Sequence, residues 1–330
     1  MLRWNATIGK AGRGAAAAIV SAALFFFLFS LSPALAQRSQ KIHLGTGSLS
    51  GTYYSYGSIL AKTLTATTPG ISLTALGTLG STDNIRLLKK KEIELAMVQN
   101  NIADFAFRGV EGFDGPCGNL RAVAALYPEF VQIVVRGEGP VRSFSQLRGL
   151  KVGVGTTGSR MTAIFSQLID AYGLKETDIH IERHSFSLNA WHFKEGNLDA
   201  FVIVSAIPSP IIADAGSSMN VRILPIESDK IAKVLRQHAF LEAGTIPAHT
   251  YKGQDGQIST LVVRALLVTT AELSEDTVYR ITRSLFEHNR TIAEAHPAGK
   301  NLNPHTATRG VSIPFHPGAL RYFREKGVLK

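Results

Sequence analysis

The chain has 330 residues, with 35 Lys and Arg against 25 Asp and Glu, a formal charge of +10 and 45% hydrophobic residues. That length holds two domains with cores of their own. The basic residues are scattered, and no run exceeds Lys89-Lys90-Lys91 with Glu92 and Glu94 beside it, so no nucleic-acid partner is expected. The single cysteine, Cys117, excludes an internal disulfide and, with no His close in sequence, reads as a loop thiol rather than a nucleophile.

The N-terminus has the order of an export signal: Arg3, Lys10 and Arg13, then an apolar stretch over 15–31 centred on Phe25-Phe26-Phe27-Leu28-Phe29, then Pro33-Ala34-Leu35-Ala36 before Gln37. The small-x-small ending predicts cleavage after Ala36 and a periplasmic mature chain. The apolar stretch is shorter than the ~20 residues of a spanning helix. No cysteine follows it to carry a lipid, so no stable membrane insertion is expected once it is removed. Loss of 1–36 lowers the formal charge from +10 to +7.

Strand and helix signals then alternate. Residues 41–46 read as a strand, 53–67 as a helix stopped by Pro69-Gly70, and 71–76 as a strand. Gly77 to Asp83 opens a second helix, 94–98 and 120–126 are further strands, and this rhythm predicts a mostly parallel sheet covered by helices. The pattern repeats with strands at 131–136, 151–155, 179–183, 200–204 and 221–224. Helical signals lie at 144–147, before Tyr172, at 188–194 and at 210–215. A β-rich run over 261–269 carries the chain back toward the first unit, a long amphipathic helix is expected over 272–295, and a short one over 319–325. No low-complexity linker intervenes, so crossing strands are expected to join the two units.

Each unit places a Gly/Ser/Thr loop between its first strand and the following helix: Gly45-Thr46-Gly47-Ser48-Leu49-Ser50-Gly51 before Tyr53-Tyr54, and Thr156-Thr157-Gly158-Ser159. Such loops point N–H groups and hydroxyls at anything over the helix N-terminus, which favours anions. The same glycines also permit tight turns, and the same serines cap helices. Gly45-x-Gly47-x-x-x-Gly51 is not the dinucleotide spacing, Leu49 occupies the centre of what would be a nucleophile elbow, and the ten histidines show no metal-ligand spacing. No catalytic residue, cofactor or metal is expected.

Several segments in order resemble the TAXI branch of the solute-binding proteins of TRAP transporters. They are Gly45-Thr46-Gly47-Ser48 with Gly51 and Tyr53-Tyr54, Asn84-Ile85-Arg86-Leu87-Leu88, Ala96-Met97-Val98-Gln99, Leu126-Tyr127-Pro128-Glu129, Leu224-Pro225-Ile226, Thr245-Ile246-Pro247 with Tyr251-Lys252-Gly253-Gln254, and His316-Pro317-Gly318-Ala319. The resemblance implies an α/β, type II periplasmic-binding-protein fold: two Rossmann-like lobes joined by a hinge around a central cleft. It implies capture of a small polar or anionic solute, glutamate-like or an organic acid, for delivery to TRAP transporter membrane subunits. Lobe I would comprise 37–127 with about 258–330, and lobe II about 128–257. A periplasmic sensing module and a serine hydrolase built on Ser48 or Ser159 are the readings from other classes.

Carried over residue by residue, the resemblance puts the solute against Gly47, Ser48, Tyr53, Tyr54, Ser81, Asn84, Gln99, Tyr127, the loop Thr157, Gly158 and Ser159, and Pro208. There are two departures. Where the family often reads Gly-Ser-Gly-Thr-Arg, this chain has Thr162 at the arginine position and Arg160 two residues early; both are counted among the expected contacts, and either Arg160 reaches the solute from a shifted position or the solute is less anionic than the usual one. Where the family reads Gln-x-Asp, this chain has Gln99-Asn100-Asn101, which removes a candidate partner for a solute ammonium group.

Overall fold

The computed structural model describes Met1 and residues 39–156, 161–238 and 240–330. The signal segment 2–36 and the loop 157–160 lie outside the described residues. Gln40–Lys330 is one compact unit.

Strand β1 (Gln40–Gly45), helix α1 (Thr52–Thr67), β2 (Ile71–Leu76), α2 (Ser81–Lys89), β3 (Leu95–Gln99) and α3 (Asn100–Arg108) open the chain. The long β4 (Leu120–Arg136) leads to β5 (Lys151–Val154), α4 (Met161–Ala171), β6 (His180–Arg183), α5 (Phe186–Lys194), β7 (Ala200–Ser205), α6 (Pro210–Ser218), β8 (Val221–Leu224) and α7 (Ser228–Gln237). Then β9 (Glu242–Ile246) and the long β10 (Ile258–Thr270) return the chain to α8 (Glu275–Glu287), α9 (Asn289–Ala295) and α10 (Pro317–Glu325).

The sheet order is β2-β1-β3-β10-β4-β7-β5-β6, with β8 on β4 and β9 on β10. Parallel pairs occupy each end (β2, β1, β3 and β7, β5, β6), while β10 and β4 run antiparallel to each other and to their flanking partners. The expected mostly parallel sheet is thus a mixed one, because two strands cross between the halves in opposite directions. The runs 120–126 and 131–136 are one strand, not two. Pro128 removes a ladder donor, but β4 changes partner close by, pairing with β10 up to Phe130 and with β7 from Phe130 onward.

Alternation along the crossing strands builds cores on both faces of each half. Val131, Ile133 and Val135 enter one cluster with Val152, Phe165 and Leu168, while Val134 enters another with Phe193, Phe201 and Ile212. In the other half, Ala265 and Leu267 join Leu44, Leu60 and Ile281, whereas Leu266 and Val268 join Ile85, Val98 and Ile102. Strands covered on both faces read as near-continuous apolar runs, as β4 and β10 do.

The single helix expected over 272–295 is two, broken at His288, whose backbone (φ −112°, ψ 20°) leaves the helical region while its Nδ1 lies 3.0 Å from the Ser284 carbonyl. Helices α3 and α7 add to the expected elements and have apolar residues at helical spacing (Ile102, Phe105 and Ala106; Ile231, Val234 and Leu235), whereas strand β9 has no clear signal in the sequence. β9 reads Glu-Ala-Gly-Thr-Ile and owes its state to pairing with β10. Cys117 is buried and donates to Asn119 Oδ1 at 3.4 Å, and burial pushes its thiol pKa up, as suits a structural thiol. No described helix is long and apolar enough to cross a membrane.

Candidate functional site

A cleft of about 320 Å³ opens between the two core systems. From the first half it is lined by the loop after β1 (Gly47, Ser48, Ser50, Gly51), by Tyr53 of α1, by the loop before α2 with Ser81 and Arg86, by Gln99 and by Glu129. From the second half come Gly155, Thr156, Met161, His184, Ser185, the end of β7 and Ser209 with Pro210. Helices α1, α2, α5 and α6 therefore begin at the cleft, and their unpaired N–H groups give it a positive potential. α1 and α2 start on Gly51 and Gly80 without a side-chain cap, which leaves those N–H groups for a ligand. Gly80 has φ +103°, a conformation L side chains rarely adopt, so the loop before α2 depends on it.

Of the expected contacts, Gly47, Ser48, Tyr53, Ser81 and Gln99 line the cleft. The Ser81 hydroxyl accepts from the Gln99 backbone N–H at 3.0 Å, so it ties the start of α2 to the end of β3 in place of capping its own helix. Thr157, Gly158, Ser159 and Arg160 lie outside the described residues; Gly155 and Thr156, which precede them in the chain, line the cleft. Tyr54 is half-buried one helical step round from Tyr53 and is not among the lining residues.

Four expected contacts sit elsewhere. Asn84 is fully buried, with its Nδ2 donating to the Thr46 and Met97 carbonyls at 2.7 Å each, so it fastens the end of β1 to β3. Tyr127 is buried with its ring edge-on to Tyr56 at 5.0 Å, and its hydroxyl has no partner among the described residues. Thr162 is half-buried and is not among the lining residues, whereas its neighbour Met161 is. Pro208 is exposed and follows a cis peptide bond; the proline that opens α6 at the cleft is Pro210, two residues later.

The feature missing from the expected site is Glu129. It is 3% exposed at the base of the cleft, and its Oε2 accepts from the Tyr53 hydroxyl at 2.9 Å. Burial raises its carboxyl to about 8, against the opposing pull of hydrogen bonds from Tyr53 and Gln99. Burial and the neighbouring carboxylate raise Tyr53 as well. No lysine or arginine pairs with Glu129 among the described residues. The sequence signal for it is an acid beside the apolar run Phe130 to Val135, preceded by Tyr127-Pro128. Asn101, at the position of the family acid, is buried and away from the cleft.

A second polar network sets the far wall. The Tyr251 hydroxyl accepts from the Ser209 backbone N–H at 2.8 Å and donates to Gln132 Oε1, and Gln132 Nε2 donates to Ser205 Oγ at 3.1 Å. It fixes the N-terminus of α6 against the end of β7.

Among the described residues no serine meets a histidine in the geometry of a nucleophile and its base, and Ser159 lies outside them. Ser48 and His184 line the same cleft, yet no hydrogen bond joins them, and His184 Nε2 faces Glu182 at 3.6 Å. Ser55 lies 3.1 Å from His296 Nε2, but His296 Nδ1 accepts from the Ala298 N–H, which puts the ring proton on Nε2. His296 therefore donates to Ser55 and does not act as its base.

The structure resembles the periplasmic aliphatic sulphonate binding protein SsuA from Escherichia coli, with a TM-score of 0.52 and 17% identity over 87% of this chain and 83% of that one. It also resembles a putative L-cystine ABC transporter protein from Listeria monocytogenes, with a TM-score of 0.51 and 12% identity over 80% and 98% of the two chains. A mutant of ArgBP from T. maritima matches at 0.50 and 12% over 80% and 95%. These likenesses give the fold: the two-lobed α/β arrangement of periplasmic binding proteins around a central cleft. The model of the NMT1-like family matches residues 44–327, and the chain belongs to that family.

Proposed function

We propose that this is an extracytoplasmic solute-binding protein that captures a small polar or anionic solute in the cleft and hands it to a TRAP transporter permease. The observation that carries it is the meeting of several uncapped or partly capped helix N-termini with a buried Glu129–Tyr53 pair in one cleft between two cores. This arrangement suits a small charged molecule held by fixed dipoles, and among the described residues no nucleophile is paired with a base. Two of the similar structures are named for a sulphonate and for L-cystine, both small and charged. The TAXI-like segments, including Tyr127-Pro128-Glu129 and His316-Pro317-Gly318, support the TRAP assignment and a glutamate-like solute.

In this reading 37–127 and about 258–330 form lobe I, about 128–257 forms lobe II, and β4 and β10 are the hinge. The solute binds lobe I first, and lobe II closes over it. Closure follows only if the solute touches both lobes, since a ligand shifts an equilibrium by its difference in affinity for the two states. The signal segment directs export, and the mature protein works in the periplasm.

The test is uptake. Spheroplasts of a deletion strain regain uptake of the bound solute when the purified mature chain is added. Binding without any effect on uptake contradicts delivery to a permease and points to presentation of the solute to a receptor.

A further inference from the structure

The cleft holds an acid, Glu129, with which no lysine or arginine pairs among the described residues. Among the described residues the groups facing Glu129 are neutral: Tyr53 from α1 at 2.9 Å, Gln99 at the end of β3, and Tyr127 on the same strand, whose hydroxyl has no partner there. Its β10 neighbour is Val263, and the next residue, Arg264, sends its guanidinium to Glu242 at 2.7 and 2.8 Å. Among the described lining residues the other charged side chains are Arg86 and Asp83, with the imidazole of His184 nearby; Asp83 accepts from the Leu79 N–H, and Arg86 forms no ion pair among the described residues. Ionising a buried acid beside neutral donors alone is costly, so Glu129 keeps its proton until a cation arrives beside it.

Building on the solute-binding reading above, we propose that Glu129 is the counter-ion for an ammonium group of the solute, so that the cleft selects α-amino acids over the corresponding hydroxy acids. The free carboxylate end of such a solute then faces the helix N-termini and Arg86. Glu129 thereby replaces the acid that Asn101 lacks. Because the empty site holds Glu129 largely as the neutral acid, forming the ammonium–carboxylate pair expels one proton from Glu129 to solvent. Binding is then linked to pH: the unbound form keeps the proton below about 8, the bound form loses it, and affinity rises with pH across that range.

The experiment is calorimetric titration of the wild-type mature chain with L-glutamate, L-glutamine, L-leucine and L-arginine, each beside its 2-hydroxy counterpart, in buffers of different ionisation heat. At pH 7 an amino acid that binds is expected to release about nine-tenths of a proton, with affinity rising about tenfold per unit from pH 6 to 7.5. Glu129→Gln is expected to lose at least about tenfold of the amino-acid affinity, together with its pH dependence. Hydroxy-acid binding without proton release, equal to that of the amino acid, overturns the counter-ion and leaves solute capture standing. Binding of none of the eight compounds overturns the counter-ion; if a wider panel of sugars and dicarboxylates also fails, solute capture falls with it. The proton count is read on the wild type, so the outcome does not depend on the variant folding.

Discussion

Ser50 Oγ, in the loop after β1, lies 2.5 Å from Ser187 Oγ on α5, so hydroxyls from the two core systems meet at the rim of the cleft. If that rim opens for solute entry, tying it shut blocks the path. The double variant Ser50→Cys, Ser187→Cys is expected to form a disulfide under oxidation, since the native Cys117 is buried and does not compete. The oxidised protein is then expected to bind solute at least about tenfold more slowly than the reduced one, because binding requires a conformational change it cannot make. Stopped-flow fluorescence measures it, and equal rates in both forms contradict an opening rim.

Glu129 makes the empty protein weaker as pH rises. Its carboxyl titrates near its ordinary 4.5 when the chain is unfolded and at about 8 when folded. Between those values the folded state binds more protons, so stability falls with rising pH, by up to about 1.36 kcal/mol for each pH unit between the two. Several kcal/mol are thus at stake between pH 5 and 8. Melting curves of wild type and Glu129→Gln across that range are expected to diverge, with the Gln variant the more stable at pH 8. Parallel curves contradict the buried acid.

Asn84 is expected to act on stability more than on binding. Asn84→Ala strips donors from two buried carbonyls, each costing about 1–3 kcal/mol, so a loss of roughly 2–5 kcal/mol in denaturant unfolding is expected. A stable Asn84→Ala protein with much weakened affinity contradicts the structural role.

Tyr251 supports the far wall without lining the cleft. Tyr251→Phe leaves the Ser209 N–H and Gln132 Oε1 without that partner and is expected to cost about 1–3 kcal/mol of stability. Affinity falls with it, because the start of α6 is less fixed; titration of the variant measures this.

The sequence and the structure agree where local signals are strong and part where long-range pairing decides. The strand at 71–76, the turn at 144–147 and the strand at 221–224 have the bounds read from pattern alone. The Gly-rich loop after β1 is legible as the lead-in to a helix because glycine and hydroxyls precede it, and its Gly47 and Ser48 line the cleft. Asn84 and Tyr127 mislead because a motif marks residues that hold a site together as strongly as residues that touch its contents. Glu129 escapes a linear reading because its environment comes from three segments far apart in sequence: Tyr53, Gln99 and β4 itself. The break at His288 is hidden because both helices share one apolar face.

The most direct test of solute capture is thermal unfolding of residues 37–330 against amino acids, dicarboxylates, oxo acids and sugars, run beside Gln99→Ala. A true solute at 100 times its Kd adds about 2.7 kcal/mol to wild-type stability, and the gain is expected to shrink in the variant, whose side chain lines the cleft in the wild type. A gain of the same size in both proteins, or none with any compound, contradicts capture in this cleft.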